Sequence, residues 1–190
     1  MKHSTAVIFA GGKSSRMGQD KALLPFANYP SLSEYQYHKL LTLFTHVYLS
    51  TKENKFTFDA PLIKDLYRQS SPLVAIVSVF ETLDVEEVFI LSVDTPFVTK
   101  EMIEKLFSLP KHYDAVIAKS SKGVQPLCGI YRRSLLGFAK QYLEEDNHKL
   151  NHLLKTVNTK FVHFDEERAF LNLNTPQEYE EALDILPMNH

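Results

Sequence analysis

A short apolar run, Ala6-Val7-Ile8-Phe9-Ala10, stops at Gly11-Gly12 and opens into a polar loop that carries Lys13, Arg16 and Lys21. The run has the composition of a buried strand, and the loop has that of an anion-binding turn at its end. Glycine lets the backbone approach a ligand with no Cβ in the way. Successive N–H groups then form a concave donor surface, and the cations neutralise phosphate charge. Against these cations the loop sets one carboxylate, Asp20. Neither a G-x-x-x-x-G-K-S/T loop nor a G-x-G-x-x-G fingerprint is completed, so the known phosphate motifs do not decide the reading. A solvated surface turn is the plain alternative. Its place after a first strand favours a ligand, because open α/β sheets bind theirs at strand ends.

Strand-like and helix-like segments alternate after the loop. Leu32 to Phe44 places Tyr37, Leu40, Leu41 and Phe44 on one helix face, with Ser31 and Glu34 spaced as a capping box. His46 to Ser50 and Leu62 to Lys64 read as strands. Ser71-Pro72 reads as an N-cap and first turn of a helix with Leu73, Ile76, Val77 and Phe80 inward. Val88 to Val93 is nearly all apolar, as a central parallel strand covered on both faces would be. Thr99 caps a helix with Met102, Ile103, Leu106 and Phe107 inward, and Ala115 to Ala118 forms a strand. Lys119 to Gly123 turns the chain, and Gln125 to Tyr131 is extended. Arg133 to Glu144 and Lys149 to Val157 are helical, while Phe161 to Phe164 and Phe170 to Leu173 are late strands. A second capping box, Thr175-Pro176-Gln177-Glu178, opens a last helix with Tyr179, Ala182, Leu183 and Leu186 inward. The alternation predicts a doubly wound, Rossmann-like α/β fold of three layers with a mostly parallel sheet. At 190 residues the chain is expected to form one domain, 1–190, frayed at about 187–190.

Composition bears on partners and compartment. A net charge of −2 gives no broad field for nucleic acid, so an anionic ligand must be held by local cations. Cys128 is the single cysteine, which excludes an intrachain disulfide and fits a reducing compartment, packed as a small apolar residue. No run approaches the roughly 18–20 apolar residues of a membrane span, and the N-terminal run is too short for a signal peptide. The cytoplasm is the expected location.

If the sheet is parallel, Gly11, Ser50, Asp65 and Asp94 all stand at its carboxyl edge, bringing two carboxylates, a glycine loop and the cations to one cleft. A carboxylate such as Asp94 can hold Mg²⁺, which binds through one or two carboxylates plus substrate phosphates. Arg16 and Lys21 would stabilise charge on a transferring phosphoryl group and on leaving pyrophosphate. Read singly, Asp94 before Thr95-Pro96 also fits a turn former, and Asp65 a strand end. Asn172 and Asn174 face one side of an extended segment and could present two amides to a ligand, or shape the turn before the last helix. His148 and His152 are four apart but lack the glutamate of a zinc motif and a third ligand. Ser14 and Ser15 lack His and Asp partners, Cys128 lacks a nucleophile motif, and Glu144 to Asp146 reads as a solvated helix end.

The run Gly11-Gly12-Lys13-Ser14-Ser15-Arg16-Met17-Gly18-Gln19-Asp20-Lys21 resembles the signature of the molybdenum cofactor guanylyltransferases, within a wider nucleotidyltransferase group. Asp65, Ser71-Pro72-Leu73, Asp94-Thr95-Pro96 and Asn172-Leu173-Asn174-Thr175-Pro176 follow in the same order, so the similarity covers nearly the whole chain. The resemblance implies Mg²⁺-dependent transfer of GMP from GTP to the terminal phosphate of molybdopterin, with pyrophosphate released. By matched position, Phe9, Ala10, Gly11 and Gly12 would meet the guanine nucleotide, Lys21 and Arg16 its phosphates, and Asp65 the nucleoside. Asp94 would bind magnesium, and Asn172 and Asn174 would lie by the acceptor. Transient contacts with cofactor-biosynthesis proteins and with molybdoenzymes are also implied. Ser50 replaces an asparagine that often contacts the nucleotide, and Ser71 and Ala75 replace glycines of a Gly-Pro-Leu-x-Gly turn. Ala27-Asn28-Tyr29-Pro30 replaces a glycine-containing turn. The nearest rivals are a relative using CTP or another phosphorylated acceptor, and a non-catalytic nucleotide-binding protein that delivers cofactor. Gly11-Gly12 favours guanine, since cytidylyl relatives tend to carry Ala-Gly there. Joint retention of Arg16, Lys21 and Asp94 argues against mere binding.

Overall fold

The first apolar run becomes the middle of a sheet, with Ala6, Val7 and Ile8 fully buried. The computed structural model describes residues 2–11 and 18–186. The strands are β1 (His3–Phe9), β2 (Phe44–Ser50), β3 (Leu62–Ile63), β4 (Glu87–Ser92), β5 (Ala115–Ser120), β6 (Gly123–Arg132) and β7 (Thr159–His163). They form one seven-stranded sheet in the order β3-β2-β1-β4-β6-β5-β7. β1 runs parallel to β2 and to β4, with Phe9 level with both Ser50 and Ser92. The chain winds outward from β1 to β2 and β3, then returns to the other side of β1 at β4. The strand order therefore reverses between β1 and β4, the place where open α/β sheets leave a crevice at their carboxyl ends.

Side-chain alternation on β1 feeds two apolar layers. Ala6 and Ile8 share a cluster with Leu40 of α1 (Leu32–Leu41), Met102 of α3 (Lys100–Phe107) and Ala182 of α6 (Pro176–Ile185). Val7 and Phe9 share the other with Ile76 of α2 (Pro72–Thr82), Ala139 of α4 (Leu136–Glu144) and Leu153 of α5 (Leu150–Thr156). Burial of each Leu, Ile or Phe contributes roughly 1.5–3 kcal/mol before conformational entropy is counted. Ser31, Ser71, Thr99 and Thr175 all cap their helices through the side chain, accepting the N–H three residues on. The full capping box closes at Thr175 and Glu178, whereas at Ser31 the bond runs from the Glu34 N–H to the serine hydroxyl.

Several elements depart from expectation. α1 ends at Leu41, and Phe44 belongs to β2, drawn there by its register with His3 and a stacked contact on Phe89. The fully buried positions of α1 are Leu32, Ser33, Gln36 and Leu40, with Tyr37 and Leu41 only partly covered. α2 is buried continuously from Leu73 to Phe80 rather than along one stripe. In α6, Leu183 is 39% exposed, so Ala182 rather than Leu183 is the inward anchor. Phe170 to Leu173 is no strand: a 3-10 turn spans Glu167–Phe170, and Leu173 gives its N–H to the carbonyl of Asp94 at 3.0 Å instead of to a sheet neighbour. The expected fraying at 187–190 lies outside the described residues.

The extended segment around Gln125 runs antiparallel to both β4 and β5, so the sheet is mixed. Gly129 sits where β6 crosses β5 closely. A Cβ there would come within 2.6 Å of the Val116 carbonyl oxygen and 2.6 Å of Ile117 Cδ1. Because one of those neighbours is backbone, relaxation must move the strand. Gly129→Ala is expected to destabilise the fold by about 2 kcal/mol, read as a lowered urea midpoint with an unchanged slope.

Candidate active site

At the crevice between β1 and β4 the backbone is drawn tight before any side chain acts. Ala10 N–H donates to the Ser50 carbonyl at 3.0 Å, and Val93 N–H donates to the Phe9 carbonyl at 3.0 Å, so three strands leave the sheet at one level. Gly11 is exposed, and a Cβ built on it would meet no neighbour closer than the Ser50 carbonyl at 4.0 Å. Packing against the described residues does not require glycine at 11.

Asp94 begins the turn after β4. Its Oδ2 meets Lys21 Nζ at 2.5 Å, and its Oδ1 accepts the Ser92 hydroxyl at 2.5 Å. Lys21 Nζ also donates to Asn174 Oδ1 at 2.9 Å. Lys21 opens a 3-10 turn, Lys21–Leu23, capped by Asp20, whose Oδ1 accepts the Ala22 N–H at 3.0 Å. Asn174 is fixed from behind, its N–H donating to Glu178 Oε2 at 2.9 Å within the cap of α6. The three side chains thus come from a turn, a strand end and a helix cap. The side chains of Lys21 and Asp94 are 18% and 13% exposed, shielded enough for charge to act strongly yet open to a ligand.

Other sites named from the sequence lie differently. Asn172 accepts the Asn174 N–H through its carbonyl at 3.0 Å. Ser50 is buried, and its carbonyl holds Ala10. Asp65 stands past β3, half-buried; burial raises its carboxyl above the usual range while Lys52 pulls it down. The hydrogen bonds that join Lys21 to Asp94 and to Asn174 do not include Asp65. Gly12 and Arg16, with Lys13 to Ser15 and Met17, lie outside the described residues. His148 is engaged by Ser71 Oγ at 2.9 Å and Asp146 Oδ1 at 3.2 Å. Cys128 is buried, its thiol pushed up to about 12 by burial, as befits a residue that packs rather than reacts.

The sequence reading missed the residues that hold the site in shape. Lys55 Nζ donates to the Ala10 carbonyl at 2.8 Å and pairs with Asp20 Oδ2 at 2.5 Å, tying the end of β1 to the cap of the 3-10 turn that carries Lys21. The carboxylate counted against the loop cations is therefore matched with a cation from beyond β2. Gln36, fully buried on α1, aims Nε2 at the Thr95 carbonyl at 3.1 Å and at those of Ser92 and Val93 at 3.4 Å. Lys39 donates to the carbonyls of Pro96 at 2.7 Å and Val98 at 3.2 Å, and burial lowers its ammonium to about 7. α1 thus grips the whole turn that carries Asp94. Two of the buried positions on α1, Ser33 and Gln36, are polar, so no apolar periodicity marked Gln36 as inward. Gln36→Leu keeps the volume but strips the turn of its donor. It is expected to cost about 1–3 kcal/mol, measured by urea unfolding, with a fall in whatever turnover depends on Asp94.

For magnesium the donor set allows one kind of site. Among the described residues no three of His, Cys, Asp and Glu converge. Among the described residues Asp94 is the carboxylate that meets Lys21, while Asp20 is paired with Lys55; a single carboxylate suits a hard cation held mainly by substrate phosphates and water, and does not suit a cage made wholly of protein.

Residues 6–161 match the family model of the MobA-like NTP transferase domain. The chain is 44% identical over 177 residues to a molybdenum cofactor guanylyltransferase of Campylobacter jejuni subsp. doylei, covering 92% of each chain. It is 39% identical over 189 residues to that of Helicobacter pylori strain G27, covering 95% of this chain and 92% of the relative. Among solved structures it resembles molybdopterin-guanine dinucleotide biosynthesis protein A from Archaeoglobus fulgidus, with a TM-score of 0.81, 21% identity and coverage of 95% and 97%. The fold also matches 2-C-methyl-D-erythritol 4-phosphate cytidylyltransferase from Thermus thermophilus, with a TM-score of 0.70, 13% identity and coverage of 97% and 98%.

Proposed function

Because the chain belongs to the molybdenum cofactor guanylyltransferases, within the MobA-like NTP transferase family, we propose that Lys21, Asp94 and Asn174 form the centre at which it transfers GMP from GTP to the terminal phosphate of molybdopterin. The observation that carries this assignment is the Lys21–Asp94–Asn174 cluster at the switch between β1 and β4. An oxygen of the acceptor phosphate attacks the α-phosphorus of GTP. The new P–O bond makes the dinucleotide, and the bond to the β-phosphate breaks to release pyrophosphate. The attacking oxygen is already ionised, so the protein has no proton to remove. Its work is to position two anions and to offset their charge.

Each residue then has a part. The backbone at Phe9, Ala10, Gly11 and Gly12 approaches the guanine nucleotide, and the space at Gly11 suits that approach. Arg16 and Lys21 face the phosphates, with Lys21 held at the right level by its 3-10 turn. Asp65 serves the nucleoside, and Ser50 supports it through the carbonyl that holds Ala10. Asn174, with Asn172 beside it, receives the acceptor phosphate. Asp94 holds Mg²⁺, which supplies charge neutralisation on the triphosphate when bound. The cytoplasm, where thiols stay reduced, suits the lone buried Cys128, and molybdoenzymes are the receivers of the product. No helix among the described residues is long and apolar enough to cross a membrane.

The test supplies protein, Mg²⁺ and molybdopterin with GTP or CTP separately, and measures pyrophosphate and the nucleotide attached to the pterin. Product with GTP alone is the expected result. Product with CTP alone would move the chain to the sister activity, and nucleotide binding without turnover would favour delivery over catalysis.

A further inference from the structure

The transfer reaction assigns no part to Lys55, although its ammonium is fixed between two segments of the centre. Nζ donates to the Ala10 carbonyl at 2.8 Å and meets Asp20 Oδ2 at 2.5 Å. Ala10 is thereby held at both of its backbone polar groups, the N–H by the Ser50 carbonyl and the carbonyl by Lys55. Both carboxylate oxygens of Asp20 are engaged as well, Oδ2 by Lys55 and Oδ1 by the N–H of Ala22. The ion pair is partly shielded, 22% exposed at Lys55 and 32% at Asp20, so its attraction exceeds that of a fully solvated pair.

The base of the lysine is anchored separately from both partners. On one side of it Thr51 follows β2 and gives its N–H to the Ile63 carbonyl at 3.1 Å. On the other side Phe56 and Phe58 pack against the apolar layer that also holds Ala22 and Leu173. From this fixed base the contacts run in one direction. Asp20 caps the 3-10 turn Lys21–Leu23, and Lys21 in turn meets Asp94 at 2.5 Å and Asn174 at 2.9 Å. One ammonium therefore relates the end of β1 to the turn that presents the next.

We infer that Lys55 is a positioning residue for guanylyl transfer: it clasps the turn of Lys21 to the end of β1, and so sets the Lys21 charge at a fixed place relative to the backbone that receives the nucleotide. The inference rests on the transferase reading above. Lys55 acts through Asp20 and Lys21, with both of its partners supplied by the protein. Moving a reacting or charge-bearing group by about 1 Å can cost about 10²-fold in rate, so a clasp of this kind acts on the chemical step. A lysine kept only to cancel the charge of Asp20 would act on GTP affinity instead and leave that step alone.

The test places Lys55→Met, which keeps the apolar stem and removes the charge and the donors, in the wild-type and Lys21→Ala backgrounds. In the wild-type background kcat is expected to fall about tenfold, with equilibrium GTP binding nearly unchanged. In the Lys21→Ala background the same substitution should change kcat by less than about twofold, because groups that act through one another are not additive. An unchanged kcat, an equal fall in both backgrounds, or a loss confined to GTP binding overturns the inference. Failure of the transferase reading looks different: wild-type protein would make no GTP-dependent product. Amide exchange then judges the clasp by itself. Lys55→Met should speed exchange of the Ala22 N–H about fivefold or more while the amides of β4 exchange as before, and unchanged exchange at Ala22, or an equal rise across β4, would overturn it.

Discussion

Asp94→Ala is expected to lower the turnover of guanylyl transfer by about 10²–10³-fold, the size of losing one preorganised contact to charge that develops in the transition state. The substitution removes the carboxylate that faces Lys21 and the partner of the Ser92 hydroxyl in one step. It leaves the turn itself, because the Thr95 and Pro96 carbonyls are gripped by Gln36 and Lys39, and the Asp94 carbonyl still accepts Leu173 N–H. The variant should therefore stay folded and fail in chemistry. Asp94→Asn separates charge from shape: it keeps a side chain able to meet Ser92 but cannot offset a dication, and its turnover should fall nearly as far. Pyrophosphate release at saturating GTP and molybdopterin, beside a urea midpoint for each variant, decides the matter. A folded alanine variant with wild-type turnover would remove Asp94 from the site.

Lys21→Ala is expected to cost about 10²-fold in turnover, with a different signature. Lys21 reaches from a turn that is otherwise held by Asp20 and Lys55, so its loss leaves that turn in place. What disappears is a positive charge at the phosphates, and kcat/KM for GTP should fall more than equilibrium GTP binding does. Lys21→Arg should rescue poorly, since a planar guanidinium cannot place one point charge between Asp94 Oδ2 and Asn174 Oδ1 as an ammonium does. The double variant Lys21→Ala/Asp94→Ala should lose little beyond the worse single one, because groups that act as a unit are not additive. Multiplicative losses would mean that the two side chains work apart.

The candidate site was legible in the sequence to the extent that its proposed residues stand at strand ends. Gly11, Asp94 and Ser50 were each placed at the carboxyl edge because each follows a short apolar run; register sets Ser50 level with Phe9 and Ser92, and Gly11 and Asp94 follow two residues beyond these. Lys55 and Gln36 carried no such mark. Lys55 lies in a polar stretch that reads as solvated loop, and its value comes from meeting the Ala10 carbonyl 45 positions earlier. Gln36 sits in a helix whose predicted inward face was rotated about the axis toward Tyr37 and Leu41, because a glutamine does not count as apolar. The same blindness applies to the segment before α6. Leu171 to Leu173 has the composition of a strand, but its N–H groups found partners in a turn and in the Asp94 carbonyl.

Helix starts, the central strands and the parallel core follow from the sequence alone, since each depends on neighbours within a few positions. A hydroxyl at Ser31, Ser71, Thr99 or Thr175 satisfies an N–H three residues on, whatever the rest of the chain does. The antiparallel return of β6, the grip of α1 on the Asp94 turn and the meeting of Lys21 with partners 73 and 153 positions away were decided only in the tertiary structure. Such contacts form when strand order and packing bring distant segments to one edge, and no local pattern of residues encodes which distant carbonyl or carboxylate will be there.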